Sequence, residues 1–192
     1  MSDNTTVATV DGESISRQEL DVQVQQFANN PNIQTPDQSN EEEYKKFERA
    51  VLEHLINDAL IFADAKKQGY EADQEAVEKQ LETLKGQFDD EEAFQKRLAE
   101  VNLTPEAFKA SIERQMIVDQ YYKKLFEEHS IEATEEEIKK IYDEHVAGQE
   151  NAPSLEDVQS YIKSQVEQQK IQQALTPILA NLRESSTVDI KI

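Results

Sequence analysis

Residues 50–69 read AVLEHLINDALIFADAKKQG, and the fold turns on this stretch. Leu52, Leu55, Ile56, Ala59, Leu60 and Ala63 recur at three- and four-residue intervals, and Val51 and Phe62 widen that stripe. Asn57, Asp58, Asp64, Lys66 and Lys67 largely take the other side. Gly69 stands where a helix would stop, because glycine adopts the left-handed conformation there without steric cost. A helix with so wide an apolar face must be covered by other elements.

Working upstream, Tyr44 and Phe47 carry the pattern back to about Glu41. The predicted helix then spans about 27 residues, or about 40 Å at 1.5 Å per residue, which implies an elongated domain. Residues 30–40, NPNIQTPDQSN, form a loop by composition. Before it, Ser16 with Glu19 makes a capping box, opening a helix through Leu20, Val22, Val24 and Phe27. Residues 6–10, TVATV, read as a short strand, Asp11-Gly12 as a hairpin turn, and residues 13–15 as a short return strand.

Downstream, Asp73 caps a helix carrying Val77, Leu81 and Leu84, which Gly86 interrupts. Phe88, Phe94 and Leu98 are expected on one short helix capped by Asp89 or Asp90. Thr104-Pro105-Glu106 starts a longer helix with Phe108, Ile112, Met116, Ile117, Tyr121, Leu125 and Phe126. Thr134 with Glu137 opens a short helix, and Ser154 with Asp157 opens the last long one. Pro177 lies inside that helix and is expected to kink or split it. Residues 187–192, TVDIKI, alternate like a strand. An isolated short strand is unstable in water, so the two chain ends are expected to pair in one small sheet. The fold class is therefore mostly α, with a terminal β-sheet.

Composition narrows the function. Twenty basic against 40 acidic residues give a formal net charge of -20, which repels nucleic acid and anionic membranes. Such a charge serves solubility, a saline habitat or a preference for basic unfolded clients. The chain has no cysteine, which excludes disulfides, thiolate chemistry and cysteine-bound zinc. No run of residues approaches a membrane span. The opening MSDNTTV lacks signal-peptide character, as in a cytosolic protein or a mature segment without its targeting sequence.

No catalytic constellation emerges. His54, His129 and His145 form no zinc-protease pattern, and the last two sit near helix C-termini, where a cation complements the dipole. Acidic clusters at 41–43, 89–92 and 135–137 mark helix starts rather than calcium loops. With four glycines, phosphate-cradling loops have no material. No catalytic residue, metal or cofactor is expected. The densest aromatic zone holds Phe88, Phe94, Tyr121, Tyr122 and Phe126; it serves core packing or, with Leu98, a groove for apolar peptide segments.

The segment VATVDGESISRQEL resembles the opening of the SurA/PrsA group of extracytoplasmic peptidyl-prolyl isomerase chaperones. LEHLINDALIFADAKKQG is similar to that family's next helix, and ATEEEIKKIYDEH to the helix that leads into its isomerase domain. SLEDVQSYIKSQVEQQKIQQALTPILANLRESSTVDI resembles the segment that resumes afterwards. Only VAGQENAP, residues 146–153, separates His145 from Ser154, so a parvulin domain with its own sheet cannot fit there. The resemblance implies a single chaperone domain over 1–192, made of 5–146 plus 154–192, with its junction at 147–153. It implies an ATP-independent, non-catalytic holder of unfolded or nascent secreted polypeptides, located outside the cytoplasmic membrane. A dimeric adaptor, exchanging its terminal elements, is the second reading. A prolyl isomerase is the third, and the short junction argues against it.

Overall fold

The computed structural model describes residues 5–31, 33–37, 39–101, 103–145 and 152–192. Most of the expected junction at 147–153 lies outside the described residues. The chain gathers into two compact units, Met1–Asp119 with Asn181–Ile192, and Gln120–Ala180.

In the first unit, β1 (Thr6–Val10) and β2 (Glu13–Ser16) form a hairpin. Asp11 and Gly12 supply its turn with φ of 50° and 90°, the two positive values that a two-residue turn needs to match strand twist. The last strand, β3 (Val188–Ile190), pairs antiparallel with β1, giving the order β2-β1-β3. The two ends of the chain thus close one sheet, as their β-branched alternation predicts.

The sheet buries Val7, Ala8, Val10 and Ile15 against α1 (Arg17–Ala28) and α2 (Glu41–Lys67). The Ser16–Glu19 capping box starts α1, and Leu20 and Val24 carry it into the core. Val22 differs from expectation: two residues from each of them, it falls on the opposite side of the helix and is exposed. In α2 the expected stripe is buried at Leu52, Ile56, Ala59 and Leu60, and Ile61 and Ala65 join it. Helix α2 ends in a Schellman motif: the Gly69 N–H donates to the Lys66 carbonyl and the Tyr70 N–H to that of Ala65.

Asp73 caps α3 (Gln74–Lys85), and Asp90 caps α4 (Glu91–Glu100). Phe88 therefore lies outside the helix expected to hold it, in the turn before α4. The Asp90 carboxylate accepts the Ala93 N–H at 2.7 Å, which sets the helix start after Phe88. Thr104 accepts the Ala107 N–H at the start of α5 (Pro105–Glu128).

The second unit holds the C-terminal part of α5, α6 (Glu135–His145) and most of α7 (Leu155–Ser185). Ala133, Ile138, Ile162 and Val166 form a buried cluster there. Ser130 takes a left-handed φ of 48°, so that Ile131 can donate to the Phe126 carbonyl and close α5. The Lys170 ammonium then binds the carbonyls of Ser130 and Glu132 and the carboxylate of Glu137. Pro177 does not split α7, which is continuous from Leu155 to Ser185.

Candidate functional site

The first unit contains a cleft of about 680 Å³, bordered by β2, α1, α2, the segment after α4 and the first half of α5. Its position follows from local structure. Helix α1 turns Gln18, Val22 and Gln26, spaced four apart, toward it, while Leu20 and Val24 face the core. Helix α2 contributes Leu55, Asp58 and Ala59. The Gln18 side-chain amide donates to the Val101 carbonyl at 2.8 Å, tying α1 to the segment after α4.

Two apolar side chains meet solvent here. Val22 is 40% and Leu103 39% exposed, and both line the cleft. Among the described residues the other large exposed apolar side chains are Tyr161 and Ile192. Both side chains thus open onto one concavity.

Charge in the lining is mostly negative. Glu13, Glu19 and Asp58 face one cation, Arg114. That guanidinium is already engaged, 3.8 Å from Glu13 and 4.3 Å over the Phe62 ring. Burial pushes the Asp58 carboxyl above the usual carboxylate value, and His54 and Arg114 pull it back in part. His54 itself stands 3.8 Å from Asp58 and edge-on to Phe27, at the rim of the helix.

The residues expected to bind clients fall into two groups. In the first unit Phe94 meets Phe88 at 5.5 Å and Phe108 at 5.6 Å, edge to face, with Lys85 over its ring. Phe94 and Leu98 are buried there, and Phe88 is half-buried. In the second unit Tyr122 lies 6.3 Å from Tyr121 and 5.7 Å from Phe126 along α5. Tyr121 is buried, while Tyr122 and Phe126 keep part of their surface. The expected list omits the cleft residues Leu103, Asp58 and Arg114. Val22 had a readable signal, since its helical phase opposes that of Leu20 and Val24.

Among the described residues no three His, Asp or Glu side chains gather as a metal site would require. No described helix is long and apolar enough to cross a membrane.

Residues 1–122 match the family model of the SurA-like N-terminal domain. No curated protein matches the chain in sequence. Among solved structures, the chain is similar to a SurA-like chaperone from Campylobacter jejuni, of the pair formed by the virulence factor PEB4 and the periplasmic protein Cj1289. Identity is 12%, with 98% of this chain and 99% of that one covered and a TM-score of 0.50, so the likeness concerns the fold.

Proposed function

The chain belongs to the family of SurA-like N-terminal domains, and on that premise we propose that it is an ATP-independent chaperone. It holds unfolded or partly folded polypeptides on apolar surface between helices and carries out no chemistry. The observation that carries this reading is the cleft, where Val22 and Leu103 remain exposed in a concavity of about 680 Å³. In the first unit Phe88 offers further apolar surface to clients beside the buried Phe94 and Leu98, and in the second Tyr122 and Phe126 do so beside the buried Tyr121. Residues 1–192 act as one chaperone module, and the junction at 147–153 stands where the resembling chaperones insert an isomerase.

Clients are unfolded or nascent secreted polypeptides, met outside the cytoplasmic membrane. The periplasmic description of Cj1289 supports that location. Suppressed aggregation of a reduced or heat-unfolded client is the expected result; no suppression at several-fold molar excess overturns the reading. A proline-isomerisation assay is expected to stay at background.

A second reading, a dimeric adaptor, is favoured by the β1–β3 pairing of the two chain ends. Elements joined only at the termini are natural candidates for exchange between chains. Light scattering separates the two: a strict monomer that protects clients leaves the holding reading alone.

A further inference from the structure

Strand β2 is an edge of the sheet, and all four of its residues line the cleft. The bonding pattern of β1 shows which backbone groups that edge presents. The Val7 carbonyl accepts from the Lys191 N–H and the Asp11 N–H donates to the Thr187 carbonyl, so the odd-numbered residues of 7–11 face β3. Ala8 and Val10 therefore bond β2, at Ile15 and Glu13. Ser14, opposite Thr9, turns its N–H and C=O away from β1, and it is exposed. An outward donor and acceptor beside an apolar concavity is the arrangement by which sheet edges take up extended peptides.

The occupant follows from charge. Glu13, Glu19 and Asp58 outnumber Arg114 in the lining; Arg114 and Glu13 lie beside each other and Glu19 also closes the Ser16 capping box, and the lining stays net negative. A basic side chain entering the cleft gains these carboxylates, whereas an acidic one meets repulsion from them and from a chain of net charge -20. Successive side chains of an added strand alternate in direction, so an alternating segment presents its apolar side chains as one set and its basic ones as the other.

We infer that the cleft binds clients as an extended segment added to the β2 edge at Ser14, selecting segments in which apolar side chains alternate with lysine or arginine. This rests on the holding reading and specifies its mode. The test uses the full chain with short synthetic peptides: one alternating leucine and arginine, one alternating leucine and glutamate, and two leucine–arginine peptides N-methylated at alternate residues in either register.

The leucine–arginine peptide is expected to bind with hydrogen-exchange protection at 13–16, and one N-methylated register to bind at least about fivefold more weakly. Asp58→Asn is expected to weaken it about fivefold, while Glu156→Gln, which removes the same charge outside the cleft, changes it less than about twofold. Equal binding of the glutamate peptide, indifference to both N-methylated registers, or protection confined to 120–128 overturns the inference and leaves the holding reading intact. Self-association through β2 that the peptide fails to displace overturns it also. Loss of both peptide binding and aggregation suppression removes the holding reading with it.

Discussion

The Asp11 carboxylate accepts the backbone N–H of Thr187 at 2.8 Å, across 176 residues of sequence. The Asp11 N–H in turn donates to the Thr187 carbonyl at 2.9 Å. One turn residue thus fastens the returning end of the chain to its start, just before β3 begins. The Thr187 amide holds the Asp11 carboxyl below the usual carboxylate value, with Ser186 and Lys67 adding to the effect.

A carboxyl depressed in the folded state stabilises the fold above its unfolded value and loses that effect as pH falls through the folded one. Asp11→Asn is therefore expected to lower the urea midpoint at neutral pH and to shrink the midpoint's drop on acidification. Urea titrations of both proteins at neutral pH and near pH ~3, below the ordinary carboxylate value, measure this. An unchanged pH dependence would show that the turn does not depend on the charge.

Asp58 has the opposite sign. Its carboxyl is raised by burial, so its burden is absent below the unfolded value and grows as pH rises through the folded one. Asp58→Asn is expected to stabilise the protein at neutral pH, with the gain vanishing in acid. Its side chain keeps 41% exposure, so the gain is small, and paired denaturation curves at the two pH values check its direction.

Leu60 is 1% exposed in the centre of α2, whereas Leu55 is half-buried at the cleft. Leu60→Ala is expected to cost about 2–5 kcal/mol, as buried leucines do, and Leu55→Ala clearly less. Chemical denaturation measures both. A loss below about 1 kcal/mol for Leu60 would mean that this helix is not the centre of the core.

Ser130 occupies a left-handed conformation that suits glycine. Ser130→Gly is expected to stabilise by up to about 1 kcal/mol, because the steric cost removed exceeds the added chain entropy. The thermal midpoint should rise accordingly.

Lys170 gathers two carbonyls and the Glu137 carboxylate around the loop between α5 and α6. Lys170→Met leaves those acceptors without their charged donor. Amide exchange at 130–137 is expected to quicken about tenfold while the first unit keeps its protection. Uniform protection across both units would show that the loop is held by other contacts.

Local chemistry was legible in the residues themselves. Ser16 with Glu19, Asp73, Thr134 with Glu137, and Ser154 with Asp157 mark helix starts because capping acts within three residues of the cap. Asp11-Gly12 marks the hairpin for the same reason, and β-branched alternation at both ends marks the strands. Even their pairing could be inferred, since neither strand is stable alone. The cleft could not. Leu103, Asp58 and Arg114 come together through packing of three separate elements, and Gln18 reaches Val101 across 83 residues. The division into two units falls within the sequence of α5 and of α7, where helical periodicity gives no sign of it. Backbone hydrogen bonds and caps are short-range and leave their signal in neighbouring residues. Which exposed apolar side chains share a concavity, and with which charges, depends on distances set only when the elements pack, so the tertiary structure decided it.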